Sequence, residues 1–573
     1  MSSGGSPASN TYEMPLPWML ARLRALLYYM VLLLAKPVRP VVEGPITILV
    51  SPVDRDARAT ETTPFPELPG RSRASCEPLT KRDLPCSSAC MRVRAEQQYP
   101  CQRGTWNMHQ LFHSNEYGEH EFKWQETYGT VYSINGCFGS SRLMISDPLT
   151  MKYVLNSPVF TLGPSLAKGT NVLFGNGNVT TTRGQRHRHI RGIMNPYFTS
   201  NKIRNVIPII KETARRLVGR WEALGFPGTT VDISRTLNDA ALDLTGDGDF
   251  NLITSHLSRV ILLSAVLEYP FNALGGQSEL ATMQRTLINS LTTLAWGQVT
   301  NAVLPYVPDS VFHFATRFLI PTMLEYHKIT DKLGRNLVEL RPNDAGTEAD
   351  QSFVNRLTAH NRIPKEEIGV HLRTILIAGQ DTTGGTLGWI LYKLAEMRDF
   401  QDALRKEIQL AGIDDDFDYD SMQLLNAVIN EVLRLYPSLP LAERAAAEDC
   451  ILPLSKPITT AVGEQISEIP IKKGQSFYVA ISSYHRLPSI WGPDAQDFRP
   501  SRWLEKEPCK GPALGPHASL ILELQVVVVE LVAKFVLSLP ENDSVRPRFQ
   551  ITLVPETADG THCLPVHIET VTA

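Results

Sequence analysis

The sequence predicts a mainly α domain with a small β region, extending over residues 104–573. Three observations lead there. From Gly104 onward aromatic and aliphatic residues recur in periodic blocks to the end of the chain. Residues 365–398, KEEIGVHLRTILIAGQDTTGGTLGWILYKLAEMR, form one long apolar stretch with charged ends, the pattern of a long buried helix. Residues 424–437, LLNAVINEVLRLYP, put Leu424, Val428 and Leu435 on one helical face. No repeat of 20–50 residues points to a solenoid. With 43% hydrophobic and 20% charged residues the chain lies near globular averages, which excludes a wholly disordered, collagenous or polytopic membrane protein. Its 56 Lys and Arg against 59 Asp and Glu give a net charge of −3, no reason to expect nucleic acid as a partner.

Residues 1–50 read as an N-terminal anchor region. The run ALLYYMVLLLA at 25–35 is apolar throughout. Extended back to Leu16 it reaches the ~20 residues a spanning helix needs, with Arg22 and Arg24 near one end where they can snorkel to headgroups. No small-residue cleavage pattern follows, so an anchor is favoured over a cleaved signal peptide. Residues 51–103 are rich in Pro, Ser, Arg and Cys and show neither helix nor strand period, the mark of a linker holding an inserted segment. Four of the eight cysteines, Cys76, Cys86, Cys90 and Cys101, crowd into this stretch without the C-x2-C pairs of common zinc sites. Cys137, Cys450, Cys509 and Cys563 are scattered, unlike the framework of a small disulfide-rich domain.

The centre of the long apolar stretch is polar. Ala378-Gly379-Gln380-Asp381-Thr382-Thr383-Gly384-Gly385 brings three glycines and several polar groups where a buried helix favours Leu or Ala. Each glycine weakens a helix by ~1 kcal/mol relative to Ala, and an unpaired buried hydroxyl or carboxylate costs more. Helix-like sequence on both sides argues for a distorted helix whose groove meets a ligand, with Asp381 and Thr382 placed to move protons. In the next helix Glu431 falls on the apolar face between Val428 and Leu435, and Arg434 follows three residues later. A charge on that stripe calls for a buried pair with further partners. Residues 493–503, PDAQDFRPSRW, carry prolines at 493 and 500 that deny regular structure, and Arg502 is placed to share Glu431 with Arg434. Residues 184–198, GQRHRHIRGIMNPYF, set His187 and Arg191 four apart on one helix face. With no aromatic platform beside it, this basic run reads as a solvated face or as a grip on a ligand carboxylate. Two strings are decoys. The DGDFN run at 247–251 lacks the sixth-position glycine and final glutamate of a calcium loop, and GNGN at 175–178 lacks the Gly-Lys of a phosphate loop.

AGQDTT, then E-x-x-R, then PDAQDFRPSRW, in this order, resemble the cytochrome P-450 family of haem-thiolate monooxygenases over about residues 104–570. EFKWQETYG and GCFGSSRLMISDP look like the opening blocks of fungal membrane-bound members. The resemblance implies the cytochrome P-450 fold, with haem b between the long central helix and the last one. It makes Asp381 and Thr382 the oxygen-activating pair, and Glu431, Arg434 and Arg502 the structural triad. His187 and Arg191 match a W-x-x-x-R motif with His in place of Trp, and Arg444 in PLAERAAAED matches a further propionate-binding arginine. Phe498, Pro500 and Trp503 match the meander before the haem loop. The activity implied is insertion of one oxygen atom of O2 into a lipophilic small molecule. Its electrons would come from NADPH through cytochrome P-450 reductase, with the catalytic domain on the cytosolic face of the endoplasmic reticulum membrane.

One part of the family pattern is absent. The family places F-x-x-G-x-R-x-C-x-G before its last long helix, and that cysteine is the axial ligand of the iron. Here GPALGPHASL runs directly into ILELQVVVVELVAKF, and the position about nine residues before Glu523 is Leu514. No metal ligand is therefore assigned, and Cys509 lacks the surrounding glycines and arginine. Conversely, PELPG is followed by an additional stretch, 71–103. The two departures together suggest an untranslated stretch read through at 71–103 and an over-trimmed junction near 520, which a transcript read across both places tests. The alternative is a non-catalytic, haem-poor member of the fold acting as a binding or scaffold protein.

Overall fold

The computed structural model describes residues 107–571, apart from 115, 137–140, 199–206, 224–228, 247–271, 277, 294–303, 305–306, 340–362, 414–416, 461–462, 506–517, 542–543 and 551. The anchor region 1–50 and linker 51–103 lie outside the described residues. Among the described residues no helix is long and apolar enough to cross a membrane.

The chain opens with helices α1 (Asn107–His113) and α2 (Glu121–Tyr128), then the antiparallel pair β1 (Val131–Asn135) and β2 (Ser141–Ile145). Helices α3 (Pro148–Asn156), α4 (Pro164–Phe174) and α5 (Gly184–Met194) follow, with the short strand β3 (Phe160–Leu162) between α3 and α4. Next come α6 (Ile207–Glu222), β4 (Thr229–Asp232), α7 (Ile233–Gly246), α8 (Glu279–Thr293), α9 (Asp309–Leu319) and α10 (Pro321–Glu339). The central helix α11 (Ile368–Glu396) has 29 residues, about 44 Å at 1.5 Å per residue. It is followed by α12 (Arg398–Ala411) and α13 (Gln423–Leu435). Strands β5 (Leu441–Ala446), β6 (Cys450–Thr459), β7 (Gln465–Ile471) and β8 (Ser476–Ala480) precede two one-turn helices and the irregular segment to Leu504. The chain ends with α14 (Ala518–Lys534), β9 (Phe535–Ser538), β10 (Val545–Phe549), β11 (Leu553–Thr557) and β12 (Pro565–Thr570).

The main sheet has the order β1-β2-β8-β5-β3, with β8 parallel to β2 (Leu143 opposite Phe477) and antiparallel to β5. A second sheet sets β12 between β4 and β9. The mainly α architecture with a smaller β region is thus the one the sequence predicts. Asp147 caps α3 by accepting from the Thr150 amide at 3.0 Å, and the same carboxylate accepts from Ser455 N at 3.1 Å, docking the β6–β7 hairpin onto α3.

The helical core surrounds α11. Leu387, Trp389, Ile390, Leu391 and Leu394 pack with Leu237, Val428, Val432 and the valines of α14 in one buried cluster. Helix α14 is nearly all apolar because α6, α11, α12 and α13 close around it. Its end is held by α12: Arg405 Nε donates to Val532 O at 3.0 Å and Nη2 to Phe535 O at 2.8 Å, while Gln401 Nε2 donates to Leu537 O at 3.0 Å.

Two adjacent glycines of α11 differ in their surroundings. A Cβ on Gly384 would lie 2.9 Å from the Cα of Asn238 in α7, whereas one on Gly385 would meet nothing within 4 Å. Gly384 is therefore what lets α7 and α11 approach. Gly384→Ala is expected to cost about 1–3 kcal/mol through overpacking, and Gly385→Ala to gain up to ~1 kcal/mol of helix propensity. Urea midpoints of the two variants should move in opposite directions.

Candidate active site

Most of α11 is sealed, but its middle is open. Residues 368–374 and 386–392 are buried, whereas Ala378 is exposed and Ile375, Gly379, Asp381, Thr382 and Gly385 are half-exposed. A helix buried on either side of an accessible centre offers an open face there. The sequence predicts a distorted helix at this point, and the structure corrects that: α11 continues as an α-helix throughout. The reason is local satisfaction. Thr382 Oγ1 donates to Ala378 O at 2.7 Å, and Thr386 Oγ1 donates to Thr382 O at 2.7 Å, so both hydroxyls are paired one turn back without breaking the ladder. Neighbouring Asp381 turns elsewhere. Its carboxylate accepts from Thr552 Oγ1 at 2.6 Å, in the turn between β10 and β11. Burial raises the Asp381 pKa, and the Thr552 bond offsets this only in part.

The structure brings Glu431, Arg434 and Arg502 together in full burial. Arg434 grips the Glu431 carboxylate in bidentate fashion, Nη2 to Oε1 at 2.7 Å and Nε to Oε2 at 2.9 Å. Arg502 Nε donates to Oε1 at 3.2 Å, Trp503 Nε1 to Oε2 at 2.9 Å, and the Arg499 amide to Oε1 at 2.8 Å. The remaining guanidinium protons hold backbone. Arg434 reaches His485 O, Ala495 O and Asp497 O, and Arg502 reaches Trp491 O and Asp494 O, all between 2.6 and 3.0 Å. This is why a segment interrupted by prolines keeps one shape: its carbonyls are fastened to two arginines, and the arginines to one carboxylate. Burial alone would raise the Glu431 pKa, but the Arg434 contact and the other donors outweigh it and hold the carboxyl below its usual range. Pro500 and Trp503 form a 3-10 turn, Pro500–Leu504, and Phe498 packs against the helical core.

Helix α5 carries His187 and Arg191 one turn apart. His187 is half-buried and Arg191 exposed, and neither side chain has a hydrogen bond or ion pair among the described residues. Arg186 is paired instead, with Glu367 just before α11. On β5 the Arg444 side chain is half-buried and donates to Glu443 O at 3.0 Å, with no ion pair among the described residues; burial lowers its pKa and the neighbouring Glu443 charge opposes this. Among the described residues no side-chain bond joins Arg444 to α5.

Several supporting residues are not evident from the sequence. Arg373 is buried in α11 and donates to Phe174 O at 2.8 Å, Thr330 Oγ1 at 3.0 Å and Asp331 Oδ1 at 2.6 Å, tying α4 and α10 to the central helix. Asn178 folds the GNGN turn between α4 and α5, donating to Gly175 O at 2.7 Å and accepting from the Thr180 and Thr181 amides at 3.1 Å. Glu443 pairs with buried Arg142 and accepts from the Leu166 amide at 2.9 Å, linking β2, β5 and α4. Of these, Arg373 alone carries a signal in the sequence, a charge inside an apolar run.

Among the described residues His187, Arg191 and Arg444 form no ion pair, which leaves their donors available to the carboxylates of haem. The iron side differs. Among the described residues the cysteines are Cys450, on β6 beside Glu448 and Asp449, and Cys563, 3.9 Å from Thr557 Oγ1. Neither lies on the turn leading into α14. Among the described residues no three His, Cys, Asp or Glu gather to hold a metal.

The family model described as Cytochrome P450 matches residues 101–517. Cytochrome P450 monooxygenase 91 of Postia placenta is 29% identical over 500 residues, covering 78% of this chain and 88% of the relative. Cytochrome P450 monooxygenase claW of Ampulloclitocybe clavipes is 27% identical, covering 71% and 76%. Cytochrome P450 monooxygenase 81 of Postia placenta is 26% identical, covering 72% and 81%. The central helix with AGQDTT, the shared Glu431 carboxylate and the match over most of the chain lead to one conclusion: the protein belongs to the cytochrome P450 family, whose cofactor is haem, and is an oxidoreductase of the P450 monooxygenase type.

Proposed function

We propose that the protein inserts one oxygen atom of O2 into a lipophilic small molecule held against the open face of α11. The observation that carries this reading is the accessible face formed by Ile375, Ala378, Gly379, Asp381, Thr382 and Gly385 in a mostly buried helix, with the Thr382 hydroxyl upon it. Haem, when bound, supplies the oxygen activation, and NADPH supplies electrons through cytochrome P-450 reductase. His187, Arg191 and Arg444 hold the cofactor's carboxylates. The Thr382 hydroxyl, bonded to Ala378 O on the open face, is the proton donor, and burial raises the pKa of the neighbouring Asp381 carboxyl, which makes it a second proton-handling group. The aliphatic residues of α11 favour an apolar substrate. The N-terminal region 1–50 would hold the domain on the cytosolic face of the endoplasmic reticulum membrane.

The second reading is a haem-poor scaffold, and the sequence feature favouring it is the lack of a cysteine between Cys509 and α14. Thr382→Ala separates the two. In the enzyme, reconstituted with reductase and NADPH, oxygen consumption should continue while product per O2 falls by roughly 10²-fold, the usual scale for a lost proton donor. Unchanged product per O2 would sink the proposed role of Thr382. In a scaffold the substitution leaves a silent protein silent.

A further inference from the structure

The α5 site differs from the family motif in one respect that has chemical consequences: a titratable imidazole, His187, stands where the motif has an indole. The helix presents cations. Arg183 is its N-cap residue, and Arg186, His187, Arg188 and Arg191 follow without an acidic residue in its first turn. Among the described residues the carboxylate paired with this helix is Glu367, from the turn before α11, and Arg186 neutralises it. His371 of α11 adjoins the same pair. Arg191, one turn from His187, is the charged group that acts on its ring. The unpaired imidazole thus stands in a positive field at the amino-terminal half of an eleven-residue helix, where anions are favoured.

We propose that His187 takes a proton from solvent when the carboxylates of haem dock on α5, so that the protein binds its cofactor more tightly as the pH falls. The inference rests on the reading of α5 as the carboxylate-gripping face. Its physical basis is linkage. In the cofactor-free protein, burial and then Arg191 lower the His187 pKa, so the ring is neutral at neutral pH. A carboxylate beside the ring favours the imidazolium. Between the two values the bound state holds one proton more than the free state. Affinity therefore rises as pH falls through the bound-state value and levels off below the free-state value. An indole carries no such proton.

The test titrates ferric haem into the full chain across the range in which histidine titrates, reading affinity from haem absorbance and tryptophan quenching. The dissociation constant of the wild type should tighten by up to about tenfold per pH unit more than that of His187→Trp, the limit for one proton. Calorimetry in two buffers of different ionisation enthalpy should show additional proton uptake by the wild type only. His187→Gln should behave as His187→Trp does, which keeps the test open if the indole disturbs α5. Equal pH slopes in wild type and variants overturn the inference alone. Failure of the wild type to bind haem at any pH overturns the proposed cofactor site, and this inference with it.

Discussion

Glu431→Ala is expected to lower stability by about 3–5 kcal/mol, the cost of removing one partner from a buried ion pair. Two guanidiniums, Arg434 and Arg502, lie with side chains 1% exposed around that carboxylate. Without it Arg434 stays buried with no carboxylate among the described residues, Arg502 keeps only Asp494 at 3.2 Å, and the Arg499 amide and Trp503 indole lose their acceptor. The damage should spread along residues 494–503, whose carbonyls depend on those arginines for position. A urea titration at unchanged m reads the loss as a midpoint shift. A shift equivalent to less than ~1 kcal/mol would mean that the triad is no stronger than a surface pair. The pH dependence has a definite sign. The Glu431 carboxyl is held below its unfolded value, so its contribution is present above the ordinary carboxylate range and is lost as pH falls through the lower folded value.

His371→Leu should produce the second large effect, and in the opposite direction. His371 is completely buried in α11, and neither ring nitrogen has a hydrogen-bond partner among the described residues. Burial lowers its pKa to about 4, with Glu367 opposing the shift and Arg186 and Arg373 assisting it. The unfolded chain takes up a proton below about pH 6.5, whereas the folded protein cannot until near its own lower value. Stability therefore falls as pH drops between these values, by about 3 kcal/mol once both states are protonated. Leucine has no proton to lose and no orphaned polar atom. The variant should match or exceed the wild type at neutral pH and lead it by about 2 kcal/mol near pH 5. Denaturant midpoints of both proteins across that range provide the check. A constant difference between them would show that His371 is solvated in the native state.

The parts of the site legible in the sequence are those built from neighbours on one helix. Glu431 stood out as a charge on an apolar stripe, and Asp381 and Thr382 as polar groups inside an apolar run. Periodicity could locate these residues but not their partners. Asp381 is bonded to Thr552, 171 residues away, and Arg405 grips carbonyls of Val532 and Phe535, at distances along the chain that no local pattern encodes. The expected distortion of α11 failed for a related reason. Propensity counts the cost of each glycine, but the close approach of Asn238 to Gly384 is a tertiary contact that recovers it. Arg142 with Glu443, and Arg373 with Asp331, are further examples, ion pairs joining distant elements that single-sequence reasoning has no means of pairing.

The placement of β8 also has a consequence for the order in which the molecule can be made. Strand β2 pairs on one side with β1, its immediate predecessor, but its other edge waits for β8, and Leu143 meets Phe477 only after more than 300 further residues have been synthesised. At about 5–20 residues per second that interval is of the order of half a minute. Throughout it that edge presents unpaired backbone N–H and C=O groups, and Leu143, Met144 and Ile145, buried in the finished fold, lack their cover. β4 waits in the same way for β12 at the end of the chain. The nascent protein thus carries an open β2 edge and an unpaired β4 for more than half of its translation, and its yield in a cell should respond to chaperone supply during synthesis.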